Sequence, residues 1–213
     1  MLTETNRGGI RASLKQWSQR KSIPDEVLND FIEIALSRAT RALRIPPLEA
    51  YQSLPITGNG YVLLPSDFME AKEAYVVING KNVLLERKAI NEVDWNSNIT
   101  SSGCKPAYFA RFGNYLRVAP WTQGVDSLLN LYYFKIIPPM PDDATENWFT
   151  LYAPEVLLYG ALVELCNYTR DLDGVGLWTN KFTEATNIIQ AVEDRAMWNG
   201  STIGITLTGS TPR

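Results

Sequence analysis

The sequence contains no histidine among its 213 residues. Histidine is the commonest general base and the commonest metal ligand, so its absence argues against most hydrolytic and metal-dependent enzymes. No P-loop, no G-x-G-x-x-G and no G-x-S-x-G motif is present either. The stretch Asp171-x-Asp173-Gly174 lacks the later acidic ligands of a calcium loop. We therefore expect no catalytic activity, no cofactor and no bound metal.

Cysteine and long apolar runs are also scarce. Cys104 and Cys166 lie far apart and form no C-x-x-C pair, which is typical of free thiols in a reducing compartment. The first ten residues are polar and indicate no signal peptide. No run approaches the roughly 20 apolar residues that span a bilayer, so we expect no membrane partner.

The net charge of −3 is small, but it is unevenly distributed. Residues 1–44 carry eight Lys/Arg and five Asp/Glu, whereas residues 142–198 carry three and ten. Such asymmetry can indicate an interaction surface, and solvated helix faces are the alternative interpretation. A nucleic-acid-binding module using the basic N-terminal helices is one hypothesis, although a sequence pI of about 5.1 argues against a dedicated one.

The last third of the chain predicts an antiparallel helical hairpin, with helices at 154–171 and 174–198. The first is apolar nearly all round, so more than one of its faces must be covered. The second has an apolar stripe at spacings of three and four. The stripe comprises Trp178, Phe182, Ala185, Ile189, Val192 and Ala196. Gly174 and Gly176 are expected to form the turn between the helices.

The N-terminal part predicts two more helices, at 10–19 and from Pro24 to about residue 43. Ser22 is the expected N-cap of the second helix, and Pro24 suits its first turn. Arg38, Arg41 and Arg44 crowd its end, where cations interact favourably with the helix dipole. These three arginines are also candidate channel or interface residues, and the two interpretations remain open.

Between the helical pairs the period changes from 3.6 to 2, which predicts antiparallel strands. Turn signals predict three hairpins, centred on Thr57-Gly58-Asn59-Gly60, Asn79-Gly80 and Gly113-Asn114. A short helix is expected within 88–96. The strand at 126–135 is apolar on both faces, so it should be central in its sheet.

The element order predicts an α+β fold. We expect a four-helix bundle formed by residues 1–45 and 147–198, with an antiparallel β-sheet domain at 46–136 inserted between its halves. Residues 199–213 form an extended C-terminal tail in this scheme. Ile203, Ile205 and Leu207 alternate there with small residues, which favours either a disordered end or a strand that pairs with a partner's edge.

Several motifs taken together resemble the head-to-tail adaptor (connector) proteins of tailed bacteriophages, the group that includes tail tubular protein A. They are Leu64-Pro-Ser-Asp-Phe-Met-Glu70, Pro106-Ala-Tyr-Phe-Ala110, Gly113-Asn-Tyr-Leu-Arg-Val-Ala-Pro120, Tyr132-Tyr133, Asn147-Trp148, Pro154-Glu-Val-Leu-Leu-Tyr-Gly-Ala-Leu-Val-Glu164 and Glu193-Asp-Arg-Ala-Met-Trp198. The resemblance covers nearly the whole chain, and it rests on the order and spacing of motifs that are individually weak.

This resemblance implies a structural virion protein at the head-tail junction, made in the cytoplasm of a bacterial host. Such adaptors form a ring, typically dodecameric, below the portal protein; they extend the DNA channel and dock other tail proteins such as a nozzle or tube. It implies transient contact with the genomic DNA in that channel. By the same resemblance, Ile203, Ile205, Leu207 and Arg213 are candidates for docking to the portal or to a neighbouring subunit. A neck or tail-completion protein at another level of the tail is the alternative.

Overall fold

The computed structural model describes residues 5–19, 22–78, 80–97, 105–121 and 128–198. Helix α1 spans Arg7–Ser18 and helix α2 spans Asp25–Ala42. The apolar residues of α2 at helical spacing are buried, namely Leu28, Phe31, Ile32, Ala35 and Ala39. The expected cap at Ser22 is wrong, because Pro24 itself occupies the N-cap position with an extended backbone and makes no side-chain cap hydrogen bond.

Three helices follow one another at the C-terminal end: α4 (Trp148–Tyr152), α5 (Pro154–Tyr168) and α6 (Leu172–Trp198). The predicted hairpin of two long helices is present, but its turn does not consist of Gly174 and Gly176. Both glycines lie inside α6, and the chain reverses at residues 169–171, where Arg170 has a φ of +59°. The reason is a cap, since the Asp171 carboxylate accepts a hydrogen bond of 3.0 Å from the Gly174 N–H.

Helix α5 is the centre of the helical core. It packs against α2 on one side and α6 on another, and it also contacts α1 and α4. Leu158 and Leu162 are both buried among these helices. The chain's own helices therefore cover α5 on more than one face, as its apolar sequence requires.

Helix α6 is buried over only part of its length. Phe182 and Ala185 pack into the helical core, whereas Val192 is 55% exposed and Ala196 is exposed. The predicted apolar stripe of this helix therefore divides into a buried first half and an exposed second half.

The strands occupy the middle of the chain. They are β1 (Glu49–Pro55), β2 (Tyr61–Leu63), β3 (Phe68–Ile78), β4 (Lys81–Leu84), β5 (Glu86–Arg87), β6 (Tyr108–Phe112), β7 (Tyr115–Ala119) and β8 (Leu128–Lys135). They form two four-stranded sheets, in the orders β1-β8-β3-β4 and β2-β7-β6-β5, and not a single sheet. Strand β8 is central in the first sheet, as predicted.

The hairpins at Gly80 and Gly113 are confirmed by the antiparallel pairs β3–β4 and β6–β7, and both glycines have positive φ values. The hairpin expected at residues 57–60 is wrong, because β1 pairs with β8 and β2 pairs with β7. That turn, closed by a 2.8 Å hydrogen bond from Gly60 N–H to Thr57 O, carries the chain from one sheet to the other.

The inserted strands are also not all antiparallel, because β5 pairs with β6 in parallel. Parallel neighbours need a crossover connection, and the helix α3 (Ile90–Ser97) lies in that crossover and packs on β6 and β7. This helix agrees with the short one expected within 88–96.

The α+β class is confirmed. The two sheets enclose one core, to which Val62, Val76, Leu116 and Leu129 contribute, and we call this unit the β-sandwich. The helices enclose a separate core. Residues 199–213 and Cys104 lie outside the described residues, whereas Cys166 is buried.

Candidate assembly surfaces

The three arginines at the end of α2 have different surroundings. The Arg38 guanidinium forms an ion pair with Glu164 of α5. Arg44 follows the helix, and its Nε donates to Glu70 Oε2 at 2.8 Å. Arg41 is exposed and has no ion pair with any described residue. The structure therefore brings Arg38 and Arg44 into ion pairs within the chain and leaves the Arg41 side chain exposed, without an ion pair among the described residues.

The basic N-terminal helix is neutralised within the chain. Asp143 accepts hydrogen bonds from Arg7 (3.0 Å) and from Arg11 (2.8 Å), and Lys15 and Arg11 pair with Asp25. The side-chain hydrogen bonds from Arg11 and Arg7 lower the pKa of Asp143, and the hydrogen bond from Lys15 lowers the pKa of Asp25. The cations of α1 thus find partners within the chain, with Asp143 in the acidic C-terminal part and with Asp25 in the N-terminal part itself.

The outer face of the first sheet is an exposed aromatic surface. In the register of the sheet, Tyr51 of β1 is paired with Tyr132 of β8, and Tyr75 of β3 is paired with Asn130 of β8. The Tyr51 and Tyr132 rings lie 4.9 Å apart between centroids, and the Tyr75 and Tyr132 rings lie 6.3 Å apart. Leu128 continues the face and is 53% exposed. In the described part of the chain a helix, α3, covers β6 and β7 of the second sheet, while this tyrosine face carries none.

The tyrosine face is held by buried polar contacts. Asn130 is only 6% exposed, and its Oδ1 accepts from Tyr51 Oη at 2.7 Å and from Ser53 Oγ at 2.6 Å. The side-chain hydrogen bond to Tyr51 raises the pKa of Tyr75 to about 12. The face presents closely packed aromatic rings with hydrogen-bonding groups. Such groups are enriched at protein–protein interfaces.

Sequence reasoning missed this face. It described both faces of this strand as apolar and drew from that only a central position in the sheet, because Leu128, Tyr132 and Phe134 were counted as apolar. The available signal was the polar pair Ser53 and Asn130, whose alternation with the tyrosines marks a half-exposed strand face.

A second exposed apolar surface runs along α6. Leu177, Ile188 and Val192 recur at spacings of eleven and four residues, so they lie on one side of the helix. The Lys181–Glu184 ion pair lies on the same side. We call these five residues the α6 stripe. They are distinct from Phe182 and Ala185, which face the core.

Three aromatic rings form a cluster where α1, α5 and α6 meet. The ring centroids of Trp17, Tyr159 and Trp178 lie 5.8–6.2 Å from one another, and Trp17 remains half exposed. Elsewhere on the helical surface, Tyr168 and Leu172 are more exposed than Trp17. The Tyr168 ring packs against Phe31, with 5.7 Å between the ring centroids. Exposed apolar side chains grouped in this way are typical of a subunit that contacts partners.

The described residues contain neither a candidate membrane span nor a candidate metal cluster. None of their helices is both long and apolar enough to cross a bilayer. No three Asp, Glu, Cys or His side chains among them converge as metal ligands would. The other candidate docking residues, Ile203, Ile205, Leu207 and Arg213, lie outside the described residues.

Comparison with known families gives a match to an adaptor family. The family described as SU10 adaptor protein matches residues 5–204, which is nearly the whole chain. No curated protein matches the chain significantly.

Proposed function

The chain belongs to the SU10 adaptor protein family, and from this membership we propose that it is the head-to-tail adaptor of a tailed bacteriophage. In this proposal copies of the chain form a ring, a dodecamer by resemblance, that docks under the portal, extends the DNA channel and attaches the tail. The helical layer acts as a four-helix bundle, and residues 199–213 act as an attachment strand. The family match over 200 residues is the observation that carries the proposal.

The surfaces described above support an assembled state. A ring contact is heterologous, so one surface of a subunit meets a different surface of the next. The tyrosine face and the α6 stripe are two separate exposed surfaces that could meet in this way. Exposed Arg41 is our candidate for contact with DNA that passes through the channel.

Catalysis has no part in the proposal. The chain lacks histidine, and the surface features of the described residues are apolar patches, whereas a catalytic cleft gathers convergent titratable groups. A neck or tail-completion protein at another level of the tail would use the same kind of surface, so the identity of the partner separates the two hypotheses.

The decisive experiment is a mass measurement of the purified protein alone, with its portal and with other tail proteins. We expect a multi-copy complex with the portal. Stable assembly with a different tail protein and none with the portal would favour the neck or tail-completion hypothesis. A chain that stays monomeric in every mixture would contradict both.

Variants of α6 test the interface. Ile188→Asp places a charge in the α6 stripe, whereas Asn187→Asp places the same charge at the adjacent exposed position. We expect the first to prevent assembly and the second to permit it, with both melting at the parent temperature. Equal assembly of both variants would exclude the α6 stripe from the interface and leave the rest of the proposal standing.

A further inference from the structure

The β-sandwich joins the helical layer through two chain segments that lie side by side. The outgoing segment is residues 43–49, which ends as β1 begins, and the returning segment is residues 134–140, which starts at the end of β8. Glu49 and Phe134 are direct partners in the β1–β8 register, so the two segments are adjacent. We call these two segments together the neck.

The neck separates two cores. Leu43, Ile45, Leu48 and Met140 are buried in the helical core, whereas Tyr133 is buried in the core of the β-sandwich. Among the described residues, no buried residue belongs to both cores. Phe134 of β8 and Ile137 also pack on the helical core, so the neck belongs to the helical layer and the pivot lies at residues 49 and 134–135, where the chain enters β1 and leaves β8. A rotation there would move the Phe134 ring over the helices and leave the buried residues of each core packed.

Arg44 fixes the neck from the helical side. Its Nη1 donates to the carbonyl oxygens of Arg41 and Leu43, both at 2.9 Å, so the guanidinium caps the end of α2. Its Nε reaches across to Glu70 of β3 at 2.8 Å, and the guanidinium carbon lies 5.5 Å from the centre of the Phe134 ring in β8. One side chain thus contacts both layers.

Gln190 of α6 holds the backbone of the same residue. Its Oε1 accepts from the Arg44 N–H at 2.9 Å, and its Nε2 donates to the Arg44 carbonyl at 3.1 Å. Gln190 Nε2 also donates to Asp194 at 2.8 Å, which orients the amide. Arg44 is therefore fixed to α2 and α6, while its contacts with the β-sandwich run through its side chain.

The Glu70 carboxylate lies between two arginines, one from each layer. Its Oε2 binds Arg44 of the helical layer, while its Oε1 lies 3.6 Å from Arg87 Nη1, which belongs to the β-sandwich. The Arg44 and Glu70 side chains are both more than a third exposed, so water and salt screen this ion pair. Glu70 released from Arg44 would still keep a cation within its own layer.

We propose that the chain hinges where the neck meets β1 and β8 and that the Arg44–Glu70 ion pair is the latch that holds the β-sandwich at one angle to the helices. With the latch closed, Glu70 joins the two layers. With the latch open, Glu70 pairs with Arg87 alone and the β-sandwich tilts, while both cores remain intact. This inference concerns the movement of one chain and is independent of the proposed function.

A distance measurement within one molecule tests the hinge. Spin labels are attached at Gln16→Cys in α1 and at Asn82→Cys in β4, both exposed positions on opposite sides of the neck. Cys104→Ser removes one native thiol, and Cys166 is retained because it is buried. The distance distribution is recorded by pulsed electron spin resonance for this parent, for Glu70→Gln and for Glu73→Gln, the last an exposed glutamate of the same strand.

We expect Glu70→Gln to broaden or shift the distribution by several ångströms, and Glu73→Gln to leave it at the parent width. Circular dichroism should give all three proteins the same secondary structure. The parent in 1 M NaCl should approach the Glu70→Gln distribution, because salt screens an exposed ion pair. A parent-like distribution for Glu70→Gln, or equal broadening by both variants, would overturn the latch.

Discussion

At the scale of single residues, the exposed carboxylate of Asp143 connects two distant parts of the chain. It lies in the segment that leads from the β-sandwich to α4, and its carboxylate accepts from both Arg7 and Arg11 of α1. Both guanidinium side chains are largely buried, at 13% and 17% exposed, so they depend on this partner more than surface arginines would. The N-terminal helix is thereby fastened to a segment more than 130 residues away in sequence.

This arrangement predicts a pH dependence with a definite sign. The pKa of Asp143 is lowered in the folded chain, so its contribution is complete above the unfolded value of about 3.9 and disappears as the pH falls through the folded value. Asp25 acts in the same direction. Burial raises the pKa of Glu33, so that carboxyl opposes the trend, since its contribution falls as the pH rises.

We expect Asp143→Asn to lower the melting temperature at pH 7, because the amide no longer pairs with either arginine. The variant should also lose less stability than the parent on acidification below pH 4, since one titrating carboxylate is gone. Thermal melts from pH 3 to pH 7 measure both effects. Asp30→Asn, an exposed change on α2 without an ion pair among the described residues, is the control and should follow the parent.

The arginines at the end of α2 give a second prediction at this scale. Arg41→Glu should leave the melting temperature within a degree or two of the parent, because no described residue pairs with Arg41. Arg38→Glu should lower it, because the new carboxylate faces Glu164. In a phage genome, Arg41→Glu should reduce the yield of infectious particles although the protein folds. Normal yield would leave only the helix dipole, about 0.3–1 kcal/mol, as a role for Arg41.

At the scale of elements, the close contact between α2 and α5 depends on a glycine. A Cβ built on Gly160 would lie 2.7 Å from the Cβ of Ala35 and 3.3 Å from the ring of Phe182. Those neighbours belong to α2 and α6, so the smallest residue of α5 lies where three helices converge. A side chain there must push at least one helix outward.

We expect Gly160→Ala to destabilise the protein by about 1–3 kcal/mol, the usual cost of overpacking a core. Gly176→Ala is the matched control, because that glycine lies in α6 and an added Cβ would meet nothing within 4 Å. A helix gains about 0.4–1 kcal/mol from this change. Urea unfolding measures the free energy of unfolding of both variants, which should fall for Gly160→Ala and rise for Gly176→Ala. A stabilised Gly160→Ala protein would show that α2 and α5 can separate at no cost.

The elements that sequence alone predicted are those with a strong local signal. The apolar period of α2, the all-apolar α5 and the Asn79-Gly80 and Gly113-Asn114 turns each specify their structure from neighbouring residues. The pairing of β1 with β8 joins residues about 80 positions apart, and no local pattern at residues 57–60 reveals it. Turn chemistry predicted that the chain would reverse there, but it did not predict which strands would pair.

The candidate assembly surfaces were less predictable than the fold, because they too depend on contacts between residues distant in sequence. Arg38, Arg41 and Arg44 have the same residue type and similar spacing, so only three-dimensional contacts distinguish the exposed one from the two paired ones. The tyrosine face likewise depends on which side of β8 faces the second sheet. The local sequence shows that side chains alternate between the two faces of the strand, but which face is buried depends on where the second sheet packs.

At the scale of the whole molecule, every buried hydrophobic residue in the described part lies between Ile10 and Ala185. The second half of α6 extends beyond this range with exposed apolar residues, and the chain continues for 15 residues after α6 ends at Trp198. The second half of α6 thus exposes apolar side chains that do not contribute to the cores described here.

The last prediction concerns the C-terminal end of the chain. Ile203, Ile205 and Leu207 alternate with small polar residues, which fits one face of a strand added to a partner's sheet edge. Gly200, Gly204 and Gly209 raise the entropy cost of holding that shape unaided, so we expect the order to form on binding to the portal or to the next subunit.

A chain truncated after Gly200 should melt at the parent temperature, because no described core residue is removed, and it should fail to attach to the portal. A triple Ile203→Ser, Ile205→Ser, Leu207→Ser variant should fail in the same way, whereas Thr206→Ser should attach normally. Full attachment of the truncated chain would mean that the tail is a passive end and that docking occurs through the helices.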